Sequence, residues 1–124
     1  MTDRPEVQYV FLKLPPPISA NAIWRSFNRG GRVTAIKSKR YRDWIEAAGK
    51  MIQLQNPGKV VGAYGLKIRT PAKCRIDLDN VPKAINDLAQ AHGIIGNDRQ
   101  CASILVERGV DPETLVWFIS TKGE

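Results

Sequence analysis

The residues best suited to do chemistry lie in Arg75-Ile76-Asp77-Leu78-Asp79-Asn80. Residues two apart in a strand point the same way, roughly 6.5–7 Å apart. In that geometry Asp77 and Asp79 present two carboxylates on one face, with Leu78 turned to the core. Like charges at such a range repel unless a cation sits between them. A hard divalent ion meets that need, and magnesium takes as few as one or two carboxylates while keeping its waters. A third carboxylate is available from Asn97-Asp98, which follows Gly93 and Gly96. A helix of about 12 residues, roughly 18 Å long, separates the two acidic segments, and a strand-helix-strand path returns Asp98 beside Asp77. Lys83 stands four residues after Asp79, in the first turn of that helix. There it can hold a phosphate or stabilise charge developing around an attacking water. Together the set suits metal-assisted hydrolysis of a phosphodiester.

Each residue also has a plainer role. Asp79 or Asn80 can cap the helix while Asp77 is a solvated surface acid. Lys83 can pair with Asp79 or Asp87 along the helix. Asp98 can be a turn residue. The joint arrangement, in a chain of opposite net charge, favours chemistry.

Nineteen Lys and Arg against twelve Asp and Glu leave a formal charge of +7 on 124 residues, which suggests a polyanionic partner. Between Trp24 and Arg42 lie Arg25, Arg29, Arg32, Lys37, Lys39, Arg40 and Arg42, with no acid among them. Interleaved with Trp24 and Phe27, they form a candidate DNA-contacting arm, Arg25, Arg29 and Arg32 above all. Lys73, Arg75 and Asn80, flanking the acidic cluster, are expected to touch DNA as well. Two cysteines, Cys74 and Cys101, and one histidine, His92, exclude a Cys/His zinc site by count. His92 reads as a helix end facing the dipole, and the cysteines as ordinary buried or half-buried thiols. No apolar run of about 18 residues exists to span a membrane, and MTDRPEVQ lacks the apolar core of a signal peptide. The expectation is a cytoplasmic protein with reduced thiols.

The elements that must position these groups read as follows. Val7–Leu14 alternates as a strand, and apolar residues on both its faces suggest a central one; Pro15, Pro16 and Pro17 end it. Ser19–Lys39 reads as an extended loop with a short hairpin at Gly30-Gly31. A helix from Ser38 to Gln55 has Tyr41, Trp44, Ile45, Ala48 and Ile52 on one face, and Asn56-Pro57-Gly58 stops it. Strands are expected over Val60–Arg69, Cys74–Leu78, Ala102–Glu107 and Leu115–Ser120. A second helix, Asn80 to Ala91, buries Val81, Ala84, Ile85 and Leu88, tolerates Pro82 in its first turn and ends at Gly93. The pattern predicts one α+β domain over residues 1–124, a mixed β-sheet with two main helices packed on one side.

The segment Asp77-Leu78-Asp79-Asn80-Val81-Pro82-Lys83-Ala84-Ile85-Asn86-Asp87-Leu88, followed by Gly96-Asn97-Asp98-Arg99-Gln100, resembles the RusA family of Holliday-junction resolvases. Leu14-Pro15-Pro16-Pro17-Ile18-Ser19-Ala20-Asn21 is similar to the family's proline-rich opening. The resemblance covers most of the chain in element order, and its specific part is Asp77–Gln100. It implies a homodimer that cuts four-way DNA junctions symmetrically with magnesium, for which manganese can substitute. It matches Asp77, Asp79 and Asp98 to metal-binding aspartates, Lys83 to a catalytic lysine and Asn80 to the asparagine beside them. Two positions depart from the pattern. Asn97 stands where many members carry an acid, which leaves the ligand role to Asp98. Leu88 replaces the small residue usual after Asp87, a difference of local packing. The alternatives are a nuclease for other branched DNA, such as flaps or forks, and a catalytically idle phage DNA-binding protein of the same fold.

Overall fold

The computed structural model describes residues 4–17, 24–29, 32–37, 39–76 and 78–122, with backbone alone along 24–29 and 32–37 and at residue 80. Six strands and two helices are described: β1 (Tyr9–Leu14), β2 (Trp24–Arg29), β3 (Arg32–Lys37), α1 (Lys39–Gln55), β4 (Tyr64–Thr70), α2 (Pro82–Ala91), β5 (Cys101–Arg108) and β6 (Thr114–Ser120). Four strands form a mixed sheet in the order β1-β6-β4-β5, antiparallel except for β4 and β5, which run parallel. The parallel pair needs a crossover, and α2 supplies it. The expected α+β class and the mixed sheet with two helices are both present.

One face of the sheet makes the core. Val10, Leu12 and Leu14 of β1, Leu66 and Ile68 of β4, and Val116 and Phe118 of β6 are buried on it. Against them α1 lays Tyr41, Trp44, Ala48 and Ile52, and α2 lays Ala84, Ile85, Leu88 and Ala89. The helical spacing read from sequence thus selects the buried stripe of α1. Asn56 ends α1 in the left-handed region (φ 45°), with its amide donating to Ile52 O at 2.8 Å. Gly93, at φ 72°, ends α2 as expected.

The other face is not covered by either helix. It carries Tyr9 and Phe11 of β1, Lys67 and Arg69 of β4, Leu105 of β5, and Trp117 and Ile119 of β6. The Phe11 and Trp117 rings lie 5.0 Å apart, and the Lys67 ammonium and Arg69 guanidinium sit over Trp117. This corrects the reading of β1. It is an edge strand, and Tyr9, 62% exposed, and Phe11, 39% exposed, lie on the open face. Apolar residues on both faces of a strand do not require burial on both.

Three local expectations are also corrected. The described residues of the segment Cys74–Leu78 form no strand. After Pro71 the chain turns, with Cys74 N donating to Pro71 O, and a 3-10 helix forms over Leu78–Asn80. Neither Asp79 nor Asn80 occupies the N-cap position of α2, which belongs to Val81 and has no side-chain oxygen. The 3-10 helix runs into α2 instead, Val81 N donating to Leu78 O, with Pro82 in the first turn where its missing N–H costs nothing. Finally, β4 begins at Tyr64 rather than Val60, whose amide donates to Ile94 O. The segment expected as a loop contains the β2–β3 hairpin; Gly30 and Gly31 lie outside the described residues.

Candidate active site

Leu78–Asn80 and α2 carry the first half of the acidic set. Asp79 is exposed on the 3-10 helix, which packs against α2 and β5. The alternation that would put Asp77 and Asp79 on one strand face does not apply to a 3-10 helix, where successive residues turn by about 120°. Asp77 itself lies outside the described residues. Lys83 falls in the first turn of α2 and approaches Asp87 at 3.7 Å. Their side chains are 67% and 42% exposed, so this pair is worth only a few tenths of a kcal/mol and leaves the ammonium easily recruited.

The return from α2 to β5 carries the second half. Buried Ile94 and Ile95 pin the loop: Ile94 N donates to Ala89 O, and Ile94 O accepts from Val60 N. Asn97 then caps a 3-10 helix over Asp98–Gln100, its Oδ1 accepting from Arg99 N at 2.8 Å. Asp98 heads the turn, and its amide donates to Gln90 Oε1 on α2 at 3.1 Å. Asp98, Asp87, Gln90 and Ala91 line one open depression of about 370 Å³.

The surroundings are electrostatically coupled. Tyr64 donates to Asn86 Oδ1 at 2.6 Å in the core. Burial first, then Cys101 and Asp98 nearby, hold its hydroxyl well above the ordinary tyrosine range, so it stays protonated. Burial and the Asp87 carboxylate likewise raise Tyr41 on α1.

Among the nine described acids, Glu6, Asp43, Glu46, Asp87 and Glu107 have cationic partners. The carboxylates of Asp79 and Asp98 have neither ion pair nor hydrogen bond among the described residues. Of the acids so placed, these two flank α2. Exposed, unpaired oxygen donors suit a hard cation. No group of three His, Cys, Asp or Glu close enough to hold a metal occurs among the described residues. The two described members of the predicted set are thus available to a cation, with Asp77 the remaining member.

One contact escaped sequence reasoning. Arg108, at the end of β5, donates from Nη1 to Cys74 O at 2.8 Å and from Nη2 to Ile76 O at 3.4 Å. It clamps the turn that leads into Asp77. Gly109 lets the chain pass close beside it: a Cβ there would stand 2.8 Å from Thr70 O. The clamp links residues 32 and 34 positions apart, a separation no local motif reveals.

Of the predicted DNA contacts, Lys73 and Arg75 are exposed on the turn after β4. Arg25, Arg29 and Arg32 fall in the hairpin, whose register pairs Arg25 with Ile36, Phe27 with Thr34 and Arg29 with Arg32. The three arginines therefore occupy positions of one parity on the ribbon. His92 caps the end of α2, where the cation is not its own ring but Arg4, which donates to His92 O at 2.8 Å and to Pro57 O at 2.9 Å. Burial and Arg4 hold the His92 pKa below its usual value. Both cysteines are free and half-buried, as expected. No helix among the described residues is long and apolar enough to cross a membrane.

Comparison with curated proteins finds no match. The family model for endodeoxyribonuclease RusA matches residues 14–116 of the 124, which includes the proline-rich opening, both acidic segments, the whole of α2 and the basic hairpin. By that match the chain belongs to the RusA family of endodeoxyribonucleases.

Proposed function

We propose that this protein is a magnesium-dependent endodeoxyribonuclease that resolves four-way DNA junctions by paired, symmetric phosphodiester cleavage in recombination and repair. The observation that carries the reading is the pair of exposed, unpartnered carboxylates Asp79 and Asp98 on the two segments flanking α2, within the family match. Asp77, Asp79 and Asp98 would hold the metal, magnesium or manganese, which when bound supplies a nucleophilic water and neutralises phosphate charge. Lys83, free to leave Asp87, stabilises negative charge developing on the phosphate. Gln90 and Asn97 hold the Asp98 turn in place, and Arg108 holds the turn before Asp77.

DNA binding falls to Arg25, Arg29, Arg32, Lys73, Arg75 and Asn80. The first turn of α1 supports a polyanionic partner. It contains no acid, and Lys39, Arg40 and Arg42 are exposed there. Cations at a helix N-terminus oppose the macrodipole, and a phosphate beside them reverses that penalty.

A symmetric resolution needs two cuts, and one chain carries one acidic cluster. The active form is therefore a homodimer, and a C2 pair is the commonest way to supply two sites. The exposed apolar residues Tyr9, Phe11, Leu105 and Ile119 on the open face of the sheet offer surface for such an association. The test is cleavage of a synthetic four-way junction beside linear duplex, with magnesium and with EDTA. Paired nicks in the junction alone, with magnesium alone, are expected. Preferential cleavage of flaps or forks would redirect the reading to other branched DNA, and binding without cleavage to an idle site.

A further inference from the structure

Beside the clamped turn lies a second depression of about 590 Å³, lined by Pro16 and Pro17, by Pro71 to Ile76 and by Val110 to Pro112. Its size is that of a small-molecule site. Its lining combines four prolines, Ile76 and Val110 with the exposed cations Lys73 and Arg75 and one exposed carboxylate, Asp111. Val110, 89% exposed, is the most exposed large apolar residue described.

We propose that this depression receives a single unstacked nucleobase of the strand being cut, next to the scissile phosphate. The inference rests on the nuclease reading and names a subsite for it. Three observations support this occupant. The first is position along the chain: Ile76, on the lining, directly precedes Asp77, the first of the aspartates proposed to hold the metal. The second is charge: two exposed cations beside an apolar lining match a flat apolar ring attached to a phosphate chain. The third is the hydrogen-bonding capacity of the turn. The amides of Lys73, Arg75 and Ile76 donate to nothing among the described residues, whereas Cys74 N and Ala72 N are used by Pro71 O and Asp111 O. In a trans peptide the C=O and N–H point in opposite directions. Arg108, by holding Cys74 O, therefore turns the Arg75 N–H away from itself and keeps it available. Free amides meet the acceptors of a base edge, and the Asp111 carboxylate meets an exocyclic amine.

The test uses the full chain with four-way junctions carrying 2-aminopurine, in turn, at each position flanking the cut. This analogue is quenched when stacked and brightens when unstacked. The wild type should brighten one position severalfold, and an abasic nucleotide there should slow cleavage by about tenfold or more. Ala72→Trp and Val110→Trp fill the hollow from two exposed positions without changing charge. Both should abolish the brightening and the abasic effect while thermal unfolding is unchanged. Absence of brightening with the wild type, or brightening that persists in both variants, overturns the subsite. If brightening follows this pattern but no junction is cut, the subsite stands and the resolvase reading fails. Cutting without brightening removes the subsite alone.

Discussion

The amide of Asp98 is held by the side-chain carbonyl of Gln90, 3.1 Å away on α2. This bond fixes the acidic turn to the same helix that begins beside Asp79. The two acidic segments are thus carried by one rigid element, although they lie nearly twenty residues apart, at positions 79 and 98.

Gln90→Ala should therefore loosen Asp98 without touching DNA. Groups that orient metal ligands typically change metal affinity by about 10–100-fold. The variant is expected to need about tenfold more magnesium for half-maximal cleavage, with junction binding unchanged. A magnesium titration of the cleavage rate checks this, and an unchanged half-saturation point would remove Gln90 from the site.

Tyr64→Phe tests the buried bond beneath the site. It leaves Asn86 Oδ1 in the core without its donor. An unsatisfied buried acceptor costs about 1–3 kcal/mol. Urea denaturation should show a loss in that range with an unchanged m-value.

His92 sets a pH dependence of stability. Burial and Arg4 lower its folded-state pKa, so the unfolded chain binds the proton more readily. Stability rises with pH wherever the unfolded state holds more protons. The contribution is full above about pH 7 and is lost as the pH falls through the ordinary histidine range near 6.5. Melting temperatures measured from pH 7.5 to pH 5 should fall, and His92→Gln should flatten that fall.

The hairpin arginines should control salt sensitivity. Removing one phosphate-binding cation lowers the slope of log K against log salt by about one. Arg25→Ala, Arg29→Ala and Arg32→Ala should each flatten it by about that amount. A slope unchanged in all three would place the DNA surface elsewhere.

Much of this architecture is legible in the sequence where physics is local. β1 announces itself by alternation, β5 and β6 fall where strands were expected, and α1 shows itself by the spacing of Tyr41, Trp44, Ala48 and Ile52. The acidic segment misleads because D-x-D has the period of a strand, while its real shape is decided elsewhere. Pro71 receives the Cys74 amide, and Arg108 takes the carbonyls of Cys74 and Ile76 from the far end of β5. The apolar outward side of β1 misleads similarly: Phe11 packs on Trp117, more than a hundred residues away, on a face that neither helix covers. Gln90 carries no signal of its own, because its role exists only once Asp98 returns to α2. The resemblance to RusA identified the family even where the local geometry differed.

The central claim is that the carboxylates flanking α2 perform the cut. It is tested most directly by Asp98→Asn, with Asp79→Asn and Asp77→Asn alongside, on a four-way junction in magnesium. Each variant should bind the junction at least as tightly as the wild type, since negative charge beside phosphates has been removed, and should yield no cleavage product. Cleavage by Asp98→Asn at the wild-type rate would contradict the account.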